Sequence, residues 1–102
     1  PTQILEDPYF PTIHQSYGFV YDNELQLEWL YDQEKEHVFD YTKIFGERGF
    51  LIQYTIDEQF FSYFTKENKF ILPYDERIKK IKIIPSFENK KDVQGTPYEF
   101  DL

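Results

Sequence analysis

The chain has 102 residues and a mass of 12.5 kDa, enough for one domain with a modest core and too little for two. Hydrophobic residues are 40% of it, aromatics 21% and charged residues 29%, so there is apolar bulk to offset chain entropy, which argues against wholesale disorder despite a net charge of -8. With no cysteine, a disulfide framework, a thiolate nucleophile and a Cys-ligated metal are excluded, and the composition leans to the cytosol.

Residues 1–12 carry Pro1, Pro8 and Pro11 and read as an extended N-terminal arm, from which Ile4, Leu5 and Phe10 can dock on the core. The start at Pro1 is read as an end from which any start residue or signal has been removed. From Ile13 to Tyr21, Tyr17, Phe19 and Tyr21 alternate with Gly18 and Val20, the period of a strand. Asp22-Asn23 supplies a turn, and Leu25, Leu27 and Trp29 alternate with Gln26 and Glu28 in a returning strand. Asp32 to His37 is polar and reads as a loop.

Val38–Phe45 and Phe50–Ile56 flank Gly46-Glu47-Arg48-Gly49, which predicts a hairpin with a glycine-bounded loop. Phe50, Ile52, Tyr54 and Ile56 should then share a face. Phe60–Thr65 and Lys69–Leu72 flank Lys66-Glu67-Asn68 and predict another hairpin, ended by Pro73, with Asn68 in the left-handed region. Ile78–Ile84 is the next strand, up to Pro85. Residues 88–97 read as a flexible segment, and Tyr98, Phe100 and Leu102 alternate as a terminal edge strand. About seven or eight short strands joined by hairpins define a mainly antiparallel all-β fold, a small β-sandwich or partly open barrel spanning 1–102 as a single domain.

No aliphatic or aromatic run exceeds three residues, as in Phe70-Ile71-Leu72, so no membrane-spanning segment is expected. Acidity is concentrated between Asp22 and Asp40, where Asp22, Glu24, Glu28, Asp32, Glu34, Glu36 and Asp40 face only Lys35. A negative patch of this kind repels phosphates and argues against direct nucleic acid binding; a basic protein is the partner it fits. The later lysines, as in Lys80-Ile81-Lys82-Ile83, suit the wet face of a strand and read as edge protection.

Chemistry-bearing motifs are sparse. His37 beside Glu34, Glu36 and Asp40 has no second histidine near it and reads as a solvated acidic loop, so no metal site is assigned. His14 with Ser16 sits in no nucleophile elbow. The four glycines form no phosphate loop, and no nucleotide or other cofactor is expected. The chain therefore reads as a non-enzyme.

Aromatics are more numerous than one inward face requires, and carboxylates beside exposed aromatic rings suit a basic, phosphate-binding protein surface: charge steers, and desolvated rings anchor. The expected partner-binding residues are Asp22, Glu24, Glu28, Trp29, Tyr31, Asp32, Glu34, Glu36 and Asp40. The alternative is an aromatic-rich module that binds carbohydrate or docks in a larger assembly, with Trp29, Tyr31 and Tyr63 as stacking residues.

Ile13-His14-Gln15-Ser16-Tyr17-Gly18-Phe19-Val20, then Glu28-Trp29, then Ser62-Tyr63 and Phe70-Ile71-Leu72-Pro73 resemble, in that order of strands, the competence protein J family of DNA-entry nuclease inhibitors. The resemblance spans residues 13 to 87 as a strand pattern and implies a small β-sandwich that binds and silences a nuclease. It transfers no functional residue. The expectation is thus an acidic inhibitor or immunity-type protein acting on a basic partner such as a nuclease toxin or defence effector, with the oligomeric state undecided.

Overall fold

Two-residue turns with positive φ at both positions build two of the hairpins. Asp22 and Asn23 (φ 52° and 62°) join one pair of strands, and Asp57 and Glu58 (φ 48° and 74°) join another. Asp and Asn tolerate this left-handed region, Glu58 holds it at a steric cost, and the twist of such turns matches the twist of the strands they join. The structure is a computed structural model, described for residues 3–4, 10–32 and 41–102.

In chain order the elements are β1 (Gln3–Ile4), β2 (Thr12–Tyr21), β3 (Glu24–Asp32), α1 (Thr42–Phe45), β4 (Arg48–Ile56), β5 (Gln59–Thr65), β6 (Lys69–Pro73), β7 (Lys80–Phe87), β8 (Val93–Gln94) and β9 (Tyr98–Asp101). A three-stranded antiparallel sheet has the order β2-β3-β6, and a four-stranded one the order β5-β4-β7-β9. One core lies between them: Leu25, Leu27, Trp29 and Leu72 from the first sheet meet Phe50, Ile52, Tyr54, Ile81 and Ile83 from the second. This is a small all-β sandwich.

Phe50, Ile52 and Tyr54 face inward as their alternation predicts, and Ile56 packs at the border of the same cluster. β9 takes the terminal edge position beside β7. Apart from this core, Phe10, Phe87 and Val93 form a second cluster with Tyr41 and Phe45 against it.

Several expectations are overturned. Thr42–Phe45 is a single helical turn, not the end of a strand, so the predicted hairpin across Gly46–Gly49 does not form; Val38 to Asp40 lie outside the described residues. The turn sets the rings of Tyr41 and Phe45 5.6 Å apart and Phe45 5.2 Å from Phe87, a burial that an extended segment ending there would not give. Gly46 (φ 82°) ends it, donating its N–H to the Thr42 carbonyl.

The second correction concerns Lys66-Glu67-Asn68, which is a crossover between sheets and not a hairpin loop: β5 pairs with β4, and β6 with β3. Asn68 is absent from the positive-φ residues. Its side-chain amide instead donates to the Trp29 carbonyl at 2.9 Å, while Trp29 donates its N–H to the Asn68 carbonyl at 3.1 Å.

The third is that β7 runs through Pro85 to Phe87. Gly95 donates its N–H to the Pro85 carbonyl, so the backbone of Pro85 faces away from β4, and its missing donor costs that ladder nothing. β7 is also an interior strand, so its lysines are not edge protection. Lys82 instead reaches Glu99 across the β7–β9 ladder at 3.3 Å.

Within 88–97, read from sequence as flexible, Val93–Gln94 pairs in parallel with Gln3–Ile4 of the N-terminal arm. The buried Ser86 hydroxyl lies 3.0 Å from the carbonyl oxygens of both Lys91 and Val93.

Candidate functional site

The outer face of the β2-β3-β6 sheet follows from the register of its first hairpin. The turn at Asp22-Asn23 sets Tyr21 opposite Glu24, Phe19 opposite Gln26 and Tyr17 opposite Glu28; β6 then adds Ile71 opposite Gln26 and Lys69 opposite Glu28. Directly opposed residues point to the same side of a sheet. Because Leu25, Leu27 and Trp29 point into the core, the aromatic row of β2 must point out with the carboxylates of β3. Phe19 and Tyr21 are 58% and 68% exposed, and Tyr17, Leu30 and Ile71 are also exposed.

This is a contiguous apolar strip on a sheet surface, bordered by carboxylates. Exposed single hydrophobics are ordinary, but a row of three aromatics in register with Ile71 is the pattern of an interaction surface. The described carboxylates around it are Asp22 in the turn, Glu24 and Glu28 on β3, and Asp32 at the far end, with Lys69 as the cation on the face itself. His14 sits at a register break in β2 and approaches Asp32 at 2.6 Å, with both side chains exposed.

The expected partner-binding residues separate under this geometry. Asp22, Glu24, Glu28 and Asp32 are exposed, and so is Tyr31, although one side of its ring rests 5.2 Å from Phe50. Trp29 is completely buried, its ring meeting Phe50 edge-on at 5.3 Å. It is therefore a core residue and offers no ring to a partner or a sugar, which corrects both roles read for it from sequence. Its indole Nε1 has no hydrogen-bond partner among the described residues. Glu34, Glu36 and Asp40 lie outside the described residues.

Tyr17, Phe19, Tyr21 and Ile71 were not among the expected site residues. The signal that finds them is the two-residue turn: it forces the 17/28, 19/26 and 21/24 pairs, and those pairs put the aromatics beside glutamate and glutamine rather than beside leucine and tryptophan. Tyr63, the remaining stacking candidate, is half-exposed on β5 and stacked against Phe70 at 5.6 Å.

Among the described residues no group of three or more His, Asp or Glu side chains converges as a metal site, and no helix is long and apolar enough to cross a membrane. Chemically, the face is equipped to bind: rings for desolvated contact and carboxylates for steering and pairing. No protein-family model, curated protein or solved structure matches the chain.

Proposed function

We propose that this protein binds and neutralises a basic protein through the outer face of β2-β3-β6, as an inhibitor or immunity-type partner and not as an enzyme. The observation that carries the reading is the register-matched row of Tyr17, Phe19 and Tyr21 against Glu24 and Glu28. Aromatic residues dominate binding energy when they are buried at an interface, and complementary charge raises the association rate. A net charge of -8 acts in the same direction at longer range.

The partner class that fits is a protein whose working surface binds phosphate, such as a nuclease toxin or a defence effector, because its Lys and Arg would meet carboxylates here in place of phosphates. The resemblance in strand order to the competence protein J inhibitors agrees with that class. We place the interaction in the cytoplasm.

The test is affinity capture from native lysate at low and high salt, followed by stopped-flow association with the purified partner. The expected result is one basic protein, released by salt, whose association slows and loses salt dependence with the double variant Glu24→Lys/Glu28→Lys, and whose dissociation quickens with Phe19→Ala. Association unchanged by the charge reversal would overturn the reading. The same exposed ring row also suits stacking on sugars; salt-insensitive glycan binding lost in Phe19→Ala would establish that second reading instead.

A further inference from the structure

We propose that the partner is held by strand addition: an extended segment with alternating basic and apolar side chains pairs with the open edge of β2 and converts the three-stranded sheet into a four-stranded one. This rests on the basic-partner reading and specifies how such a partner is gripped.

Backbone direction comes first. Trp29 donates its N–H to Asn68, and the Asn23 carbonyl accepts from Tyr74, so the odd-numbered residues of β3 direct their backbone groups toward the β6 side. The even-numbered ones, Glu24, Gln26 and Glu28, therefore bond β2 through their partners Tyr21, Phe19 and Tyr17, as a two-residue turn requires of its closing pair. The intervening Ser16, Gly18 and Val20 turn their N–H and C=O groups to the opposite side, where among the described residues no strand pairs with β2.

Long edges are normally blunted by lysine, proline or a charged side chain pointing inward. Of the edge strands, β6 carries Lys69 and Pro73 and β9 carries Glu99 and Asp101, whereas β2 from Gln15 to Tyr21 has none of these and neither has β5 (Gln59–Thr65); of these two, β2 is the one whose neighbouring strand carries Glu24 and Glu28. Beside this edge runs an open groove of about 400 Å³ between β2 and the end of β9, lined chiefly by Gly18, Val20, Leu25, Tyr74, Phe100 and Leu102, with Asp101 at its border. A strand added to β2 would send alternate side chains into that groove, against Val20, Leu25, Phe100 and Leu102. The others would lie on the outer face beside Tyr17, Phe19 and Tyr21, where cations gain from the ring faces and from the carboxylates of β3.

Charge chooses this occupant over a second copy. Self-pairing of β2 would bring together two chains of net charge -8 each, with the acidic Asp22, Glu24, Glu28 and Asp32 of both on the joined sheet. A basic segment meets no such repulsion.

The experiment uses the full chain and a capped heptapeptide alternating lysine and valine, with backbone amide exchange read by NMR. The expected result is saturable binding that slows exchange at Ser16, Gly18 and Val20 by about tenfold or more. The same peptide N-methylated at alternate residues should bind at least about tenfold more weakly, because it keeps the charges and loses one edge of donors. Val20→Pro, which removes an edge-facing donor outside the β3 ladder, should act like the methylated peptide.

Slow exchange at those three amides in the free protein would overturn the proposal, since the edge would already be filled. Equal binding of both lysine peptides, with changes only at the Tyr17, Phe19 and Tyr21 rings, would overturn strand addition while leaving the basic-partner reading intact. Equal binding of a glutamate and valine heptapeptide would overturn the basic specificity in both. Absence of binding by the lysine peptide would overturn the strand mode alone, because the salt-released partner tests the broader reading separately.

Discussion

Glu28 and Trp29 are adjacent in the chain and belong to opposite worlds: the carboxylate is exposed opposite Tyr17, and the indole is fully buried 5.3 Å from the ring of Phe50. A strand alternates faces at each residue, so the border between binding surface and core passes between these two positions. Truncating Trp29→Ala should cost about 3–5 kcal/mol, the range for removing a large buried aromatic. Glu28→Gln should change stability by no more than about 0.5 kcal/mol. Urea unfolding of the two variants checks both, and a Trp29→Ala protein as stable as the parent would refute the burial.

Gly49 is needed for a reason unrelated to turns. A Cβ there would stand 2.4 Å from the Thr65 carbonyl oxygen and 2.5 Å from Phe64, and the backbone oxygen cannot step aside. Gly49→Ala should therefore destabilise by about 1–3 kcal/mol, as overpacking does. At Gly18 the nearest atoms are the ends of Leu27 and Leu102 at 3.3 and 3.4 Å, so Gly18→Ala should be neutral or stabilise by up to about 1 kcal/mol. Thermal melts should show a lowered midpoint for Gly49→Ala and an unchanged or raised one for Gly18→Ala.

The segment before β7 carries an acid-sensitive clamp. Arg77 donates to Asp75 from its side chain and from its backbone N–H, and it also grips Asp57 in the β4–β5 turn. These bonds from Arg77 hold the Asp75 carboxyl at about 2, below its ordinary 3.8. Between those values the unfolded chain binds the proton more readily, so the contribution is present above pH 3.8 and is lost as pH falls toward 2. A stability profile in acid should decline less steeply in that window for Asp75→Asn than for the parent.

Tyr54 works at the other end of the scale. Burial, with the Tyr63 hydroxyl adding to it, pushes its phenol from 10.0 up to about 12. The folded state thus prefers the neutral ring; its contribution is full below pH 10 and is lost as pH rises toward 12. Tyrosinate absorbance should show one phenol titrating late, and Tyr54→Phe should remove that late step and reduce the loss of stability in alkali. A parent protein whose tyrosines all ionise together near their ordinary value would refute this.

Alternation was enough to identify β2, β3, β4, β5 and the terminal β9, because a period of two is a property of a few neighbouring positions, whereas turn chemistry found the β2–β3 turn and missed the Asp57-Glu58 turn that joins β4 to β5. The acidic border of the site was equally plain in Asp22, Glu24, Glu28 and Asp32, since charge needs no partner to be seen. Even the outward aromatics of β2 were implicit in the two-residue turn, whose pairs tie Tyr17, Phe19 and Tyr21 to the polar side of β3. What no local pattern could decide was which strands share a sheet. Lys66–Asn68 has the composition of a hairpin loop, yet it carries the chain from one sheet to the other, because Asn68 bonds Trp29 and the rings of Phe70 and Tyr63 pack across the crossing. Thr42–Phe45 coils for a similar reason, with Tyr41 and Phe45 gaining burial against Phe10 and Phe87, residues distant in sequence. Alternation shows that a strand has two faces; burial against partners far along the chain selects which one is wet, and here that selection sends Trp29 inside and leaves Phe19 outside.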